Sequence, residues 1–451
     1  MKLKNNLRDN LRNNYYHPSP SLQIPWNCLQ FGLLTFPISP FIGAVSIILG
    51  SLITWTKQYY IISDRPLHKA FGILSILLII TTFFAQKPLE AALGLFNFLP
   101  FFLVFMGLTP LIGTPNQMRQ ISWITVLGSV PILIMGFGQL FLNWHFKIQF
   151  LWIVIEWNIA KGGEPIGRMA ANFMHANTLA AYLTTILILG LGLCLENYQK
   201  NSDPNEKKYV TISDIIGAIF IHIFVIVTFI ALILTNSRNG WIIAIITCLA
   251  YSLYQGWKFI FGGLMVIISS ISLAAYGPLP IAQVFRKIIP YFIWARLNDQ
   301  MYANRPVAIM RKTQWEFAWN LTKEHPLTGT GLRSFSELYK QKMNTYLGHP
   351  HNLFLMLAAE TGLPGLLLFC GSVGWVLFVG MQLLQKSALL NVEDKLMLYS
   401  YVLVIVNLII FNTVDVSLFD LRLNTMWWFF LFATAGFTDK MAEKPITYFQ
   451  N

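Results

Sequence analysis

Apolar runs long enough to cross a bilayer recur from about residue 24 to residue 438, and nothing else in the chain limits the fold as severely. A segment in lipid must satisfy its own backbone hydrogen bonds, which leaves helices or closed barrels. Continuous runs, as opposed to short alternating ones, select helices of roughly 17–25 residues. They lie near 24–38, 41–55, 69–85, 90–108, 120–141, 172–195, 211–235, 239–255, 257–277, 363–384, 396–413 and 423–438. The fold class is therefore an all-α polytopic membrane protein of about 12 transmembrane helices. The first two runs are separated by Pro37 and Pro40, which mark either a tight turn or a kink in one long helix. Several runs are short for a crossing, which points to bundle packing, local thinning or tilted neighbours. Only 12% of the residues are charged, and 35 Phe stand against 20 Asp plus Glu, so an independent soluble catalytic domain is excluded. Cys28, Cys194, Cys248 and Cys370 lie far apart inside apolar runs, as packing residues and not as a disulfide framework.

Charge sets the expected topology. Residues 1–23 are polar and basic, with Lys2, Lys4, Arg8 and Arg12, and read as a cytoplasmic tail, not a signal peptide. Every second connection then carries cations: Lys57 and Arg65, Arg119, Lys200 with Lys207 and Lys208, Lys258, Lys386 and Lys395, and Lys440 with Lys444 in the 439–451 tail. By the positive-inside rule these face the cytoplasm, which puts both termini inside the plasma (inner) membrane. Spans one to nine fill 24–277, a large extracytoplasmic loop fills 278–362, and three spans follow in 363–438. Between 278 and 350 there are ten Lys or Arg against four acids, on the outer side, but loops beyond about 60 residues escape the rule. Apolar residues at helical spacing predict a helix over Thr313–His325, ending before Pro326. With Trp294, Trp315, Trp319 and Phe335 the loop is too aromatic for disorder and reads as a folded cap.

The outer segments hold the residues suited to chemistry. Arg168 precedes the sixth span, Arg238 lies in TNSRNGW, Arg305 lies in NRP, and GHPHNLFLMLAAETGLPG carries His349, His351, Asn352, Glu360 and Gly362. Each arginine taken alone is explained by snorkelling or a salt bridge within the loop. Together on one face, with few acids nearby, they resemble an anion site, since a guanidinium binds phosphate bidentately and keeps its charge. His351 begins a short apolar helix that starts after Pro350 and stops at Gly362, so it either caps that helix or serves as a general base at an aqueous cleft. His222, alone in mid-span, reads as a buried, hydrogen-bonded residue, and His175 beside Arg168 is a candidate to line the cleft. Asp415, Asp420 and Arg422 either pair with one another or anchor the cap. No metal site is expected, because His349-Pro350-His351 is short and lacks partner ligands. The net charge of +12 comes without a basic, aromatic-interleaved cluster, so no nucleic-acid partner is expected, and without a GxxxxGK[ST] loop no nucleotide is expected.

HNLFLMLAAETGLPG, preceded by HPLTGTGLRSF, resembles the signature of the O-antigen ligase and polysaccharide polymerase superfamily, as do NSRNGW and the stretch from Arg168 through AANFMHANTLAAYL. The resemblance covers roughly 160–435, and within the superfamily is closest to a cyanobacterial branch labelled as bicarbonate transporters. It implies a membrane glycosyltransferase with a C-type-like bundle, acting at the periplasmic face without metal, cofactor or nucleotide sugar. Such a ligase or polymerase moves a glycan from an undecaprenyl-diphosphate carrier to lipid A-core or another glycan acceptor. It also implies His351 as catalytic residue, with Arg168, Arg238 and, more loosely, Arg305 at the diphosphate; Asn352 and Glu360 complete the expected substrate-binding set. The alternative is a transporter of bicarbonate or another small anion, which would be expected to show inverted repeats and interrupted helices at the midplane. No internal repeat is evident in the sequence.

Overall fold

The computed structural model describes residues 16–150, 155–202, 212–298, 300–302, 306–385 and 390–443. Lys2, Lys4, Arg8, Arg12, Lys207, Lys208, Arg305, Lys386 and Lys444 lie outside the described residues. All twelve apolar stretches carry a helix: α1 (Gln23–Thr35), α2 (Pro40–Asp64), α3 (Pro66–Phe83), α4 (Pro88–Gly94) continued by α5 (Leu99–Leu108), α6 (Pro115–Phe141), α7 (Ala176–Ser202), α8 (Ile212–Leu234), α9 (Arg238–Tyr254) and α10 (Lys258–Tyr276). After the loop come α15 (Leu353–Gln385), α16 (Val392–Asn412) and α17 (Leu421–Ala442). Nine spans among the described residues are long and apolar enough to cross a membrane. Of the rest, α1 has 13 residues and α9 has 17, while α17 carries Arg422, Asn424, Asp439 and Lys440.

The helix boundaries follow from local chemistry. Pro40, Pro66, Pro88 and Pro115 each open a helix, where a missing N–H costs nothing. The α1–α2 junction is a tight turn: Ser39 caps α2 by accepting from the Ile42 amide, and the two helices fold back on each other. A Cβ on Gly43 would meet the Phe36 side chain at 2.5 Å, so only glycine lets them approach this closely. At the centre α17 is buried along nearly its whole length, and Trp428 packs edge-on against Phe102 at 4.8 Å and Phe71 at 5.6 Å. A helix that is enclosed on all sides is held by its neighbours more than by lipid, which explains why its polar residues are tolerated.

Alternate connections gather at opposite ends of the bundle. At one end Lys57 donates to the Ser21 carbonyl at 2.6 Å and Arg65 pairs with Asp439 at 3.1 Å. Arg119 there bridges Glu196 and Asp394 across three helices. At the other end the connections near 86–97, 168–177, 236–239, 296–297, 309–312, 333–351 and 414–419 line two cavities described below.

That second end carries the cap: α11 (Leu279–Arg286), α12 (Tyr291–Leu297), α13 (Arg311–Glu324) and α14 (Ser334–Met343). Trp294 packs with Ala274 and Ala275 under the Arg286 guanidinium, which lies 4.1 Å from the Trp294 ring. Ala318, Leu321, Phe335, Tyr339 and Ala359 form a separate small core. Within 142–171, β1 (Phe146–Phe150) pairs antiparallel with β2 (Ile155–Ile159), where FKIQF and IEWNI alternate with period two. One expectation needs correction. His222 is hydrogen-bonded to the Ala218 carbonyl at 2.6 Å as expected, yet it is exposed on the outer surface of α8 and not buried.

Candidate active site

Two glycine-bearing segments clamp the cap to the bundle. In α15 the backbone breaks at Gly362 (φ +73°, ψ 175°), so the helix begun at Leu353 is a short one joined to the next through an extended residue. Residues 326–331 run against this break: Leu363 N donates to Pro326 O at 2.8 Å, Thr330 N to Ala359 O at 2.9 Å and Gly331 N to Glu360 O at 2.9 Å. A Cβ on Gly362 would lie 2.5 Å from Leu327 O, and one on Gly329 would lie 2.3 Å from the Glu360 carbonyl carbon. Glycine is required at both positions because backbone meets backbone there and because φ is positive at each.

The start of the same short helix carries the histidine. Asn352 is its cap: its Oδ1 accepts from Leu355 N at 3.0 Å, and its Nδ2 donates to Thr413 O at 3.0 Å, fastening the α15 start to the α16–α17 turn. That turn delivers Asp415, whose Oδ1 lies 3.0 Å from His351 Nδ1 and also accepts the Val416 amide. Burial alone pushes the Asp415 carboxyl up, but the hydrogen bond and charge of His351, with His349 behind it, outweigh this and hold it below the usual carboxylate range. An ionised carboxylate only accepts, so Nδ1 of His351 carries a proton, and in the neutral imidazole it is Nε2 that offers the lone pair. His351 sits at φ +52°, a left-handed conformation held by these contacts and by its own amide donating to His349 Nδ1 at 3.1 Å. Burial pushes His349 down to about 4, so it is neutral at pH 7.

The reading that His349-Pro350-His351 lacks a partner ligand is corrected, since His349, His351 and Asp415 place one ligand atom each within 4.8 Å of one another. The hydrogen bonds favour another use. His349 Nδ1 accepts a backbone proton, so its Nε2 carries the ring hydrogen and has no lone pair for a cation.

His351 lines a cavity of 750 Å³ together with Arg168, Arg238, Arg296, Arg311 and Lys312, and no acid appears among the described lining residues. Arg168 is braced by Nε on Thr235 O at 2.8 Å and Nη2 on Asn177 Oδ1 at 2.6 Å. Arg238 Nη1 donates to Arg296 O at 2.6 Å. Three helices begin at this cavity: α7 through Asn177, α9 through Arg238 and Asn239, and α13 through Arg311 and Lys312. Helix N-termini carry partial positive charge and exposed N–H groups, and cations placed there add to the same field. The described lining is therefore cationic, and the helix N-termini add to its field.

The sequence-predicted residues therefore separate. Arg168, Arg238 and His351 are brought together around one cavity. Arg305 lies outside the described residues. Asn352 acts as a helix cap and is absent from the lining. Glu360, expected at the substrate, is instead 2% exposed, and its carboxylate accepts the Phe335 amide at 3.2 Å, so it ties the cap to α15. His175 caps α7, its Nδ1 accepting from Asn177 N at 3.1 Å. Asp420 caps α17 and lies 3.7 Å from Arg422, whereas Asp415 leaves that group for His351. Arg296, Arg311 and Lys312 were counted in the loop's charge without being singled out, although the pairing of Arg311 and Lys312 just before a predicted helix was a usable signal.

Residues 223–370 match the O-antigen ligase family model. This stretch contains Arg238, Arg296, Arg311, Lys312, His351 and the Gly362 break, while Arg168 and Asp415 fall on either side of it. No curated protein matches the chain.

Proposed function

We propose, for a chain that carries an O-antigen ligase domain, that the cationic cavity binds the diphosphate of an undecaprenyl-diphosphate-linked glycan and that His351 deprotonates the acceptor. The observation that carries this reading is the His351–Asp415 pair at the wall of a cavity with five cations. The acceptor hydroxyl gives its proton to His351 Nε2 as its oxygen bonds to the anomeric carbon of the donor. The bond from that carbon to the diphosphate oxygen breaks, and the electron pair leaves on phosphate. Asp415 stabilises the imidazolium, and Arg168 and Arg238 stabilise the departing diphosphate, so fixed protein charges supply what a metal would otherwise supply. Asn352 and Glu360 hold the histidine segment in place and do not touch substrate in this scheme.

The acceptor is lipid A-core or another glycan, the membrane is the plasma membrane, both termini are cytoplasmic, and the site is periplasmic. Topology is checked by cysteine labelling in a background without the four native cysteines. Leu327→Cys, at the cavity end and 71% exposed, should react with an impermeant maleimide from outside, and Val392→Cys, at the other end and 62% exposed, should not. The reverse pattern would sink the mechanism with the orientation. Activity is tested by incubating purified protein with lipid-linked oligosaccharide and measuring release of undecaprenyl diphosphate. Movement of bicarbonate into vesicles without any release would give the transporter reading the advantage.

A further inference from the structure

A second cavity of 700 Å³ opens on the far side of the histidine pair, and its walls come from the start of α4, from α14 and from Tyr346, Gly348, His349 and Phe419. His349 lines this cavity, His351 lines the cationic one, and their rings are 4.5 Å apart at 77°. The wall between the two cavities is therefore one imidazole pair thick.

The charges of the second cavity cancel. Lys87 pairs with Glu337 at 3.2 Å, and Arg333 approaches Glu90 at 3.7 Å, each pair joining the α4 segment to the cap. Gln86, Asn97, Ser336 and Gln341 add groups that both donate and accept hydrogen bonds. Two aromatic rings stand open beside them, Tyr346 at 68% and Phe419 at 42% exposure, and the Phe419 ring lies nearly parallel to His349, 13° apart at 5.7 Å. A diphosphate would find no surplus of positive charge here. A sugar chain would find what it needs: partners for hydroxyls that donate and accept, charges already paired, and aromatic faces for its C–H surfaces.

We propose that this second cavity binds the acceptor as a neutral, hydroxyl-rich oligosaccharide and presents one hydroxyl past His349 to His351. The assignment rests on the glycan-transfer reading above for its chemistry but on its own residues for its ligand. Donor anion and acceptor sugar then occupy separate cavities that meet only at the histidines. Neutral His349 keeps the acceptor side uncharged at pH 7 and orients His351 by accepting a hydrogen bond from its backbone amide at Nδ1.

The test uses the purified full chain in detergent and two probes: inorganic pyrophosphate, and lipid-free oligosaccharides released by mild acid from the glycolipids of the protein's native membrane. Saturation-transfer NMR should detect oligosaccharide on the wild type, and saturating pyrophosphate should not displace it. Tyr346→Ala and Gln341→Ala change exposed or cavity-lining side chains, and each should weaken oligosaccharide binding at least fivefold while pyrophosphate binding stays within twofold. The proposal is overturned if the wild type binds no oligosaccharide, if pyrophosphate displaces it, or if neither variant changes its binding. Pyrophosphate binding that is lost in Arg238→Ala reports on the donor cavity separately. Tyr346-dependent sugar binding without any pyrophosphate binding would support the sugar site and remove the donor reading instead.

Discussion

The two cavities flanking His349 and His351 are close in size, 750 and 700 Å³, and differ in how their charges are arranged. The second holds Lys87 and Arg333, but α14 and the α4 segment supply Glu337 and Glu90 across from them. The first collects Arg238, Arg311 and Lys312 at the starts of α9 and α13, Arg168 in the connection before α7 and Arg296 in the last turn of α12. Among the described residues the same residue types thus make a charge-balanced lining in one place and a cationic lining in the other, about one histidine pair apart. Exposed, paired charges contribute about 0–1 kcal/mol and are screened by salt, whereas cations at helix N-termini add to a field that favours an anion. Salt-dependent ligand binding is therefore expected of the first cavity and not of the second.

The largest expected effect comes from removing the group the cavities share. His351→Ala should lower glycan transfer by 10²–10⁴, about 3–5 kcal/mol of barrier, as is typical for loss of a positioned base. Pyrophosphate and oligosaccharide should still bind, because neither cavity loses its charges or its aromatic rings. The measurement is undecaprenyl diphosphate release per folded molecule from pH 5 to 9. An active variant with an unchanged pH profile would make His351 a structural residue and leave the two cavities without a common reaction.

His349 gives the next effect, on stability. Its folded pKa, about 4, lies below the unfolded value near 6.5, so the unfolded chain takes up this proton first as pH falls. The stability is present in full above pH 6.5, declines between 6.5 and 4, and levels off below, a loss of about 3 kcal/mol over the window. Burial is the main cause; Asp415 works against it, while His351 and Arg311 reinforce it. Asp415, held below the usual carboxylate range, contributes a further loss at lower pH. His349→Gln should flatten the fall in unfolding midpoint between pH 6.5 and 4. A variant that keeps the full wild-type slope would show that the wall between the cavities is not what titrates.

Much of this arrangement was legible in the sequence, for identifiable reasons. Period and length of the apolar runs gave twelve helices because lipid leaves no other way to satisfy the backbone. Thr313–His325 was legible as a helix because its apolar spacing and the following Pro326 both speak locally, and the observed Arg311–Glu324 differs only at its ends. Arg168, Arg238 and His351 could be grouped because span counting placed all three at one end. Asp415 was not singled out as the partner of His351, because 64 residues separate them and sequence carries no distance. Glu360 misled for a related reason: an acid nine residues beyond the histidine, on the same short helix, looks available, and only the crossing of 326–331 shows that it is enclosed. The strand pair of Phe146–Phe150 with Ile155–Ile159 was passed over because the apolar runs that select spans are much longer, although its alternation was there to be seen.

The smallest effect separates the kinds of positive charge. Arg238 makes two demands on one side chain: Nη1 holds the Arg296 carbonyl at 2.6 Å, and the guanidinium also lines the cationic cavity. Its planar fork can serve both at once, because five N–H groups point in fixed directions. Lysine keeps the charge but concentrates it on a single ammonium at the end of a flexible stem. It can hold the carbonyl or reach the cavity, and a bidentate contact is lost either way. Arg238→Lys should therefore weaken pyrophosphate binding by about tenfold, about 1.4 kcal/mol, and slow transfer by a comparable factor. Oligosaccharide binding in the second cavity should stay within twofold, since Arg238 is not among its lining residues. Titration of both probes against wild type and variant, at low and high salt, reads the difference directly. If the variant binds pyrophosphate as tightly as wild type, charge alone suffices at this position and the bidentate contact is wrong. If it loses both probes equally, the two cavities are one site.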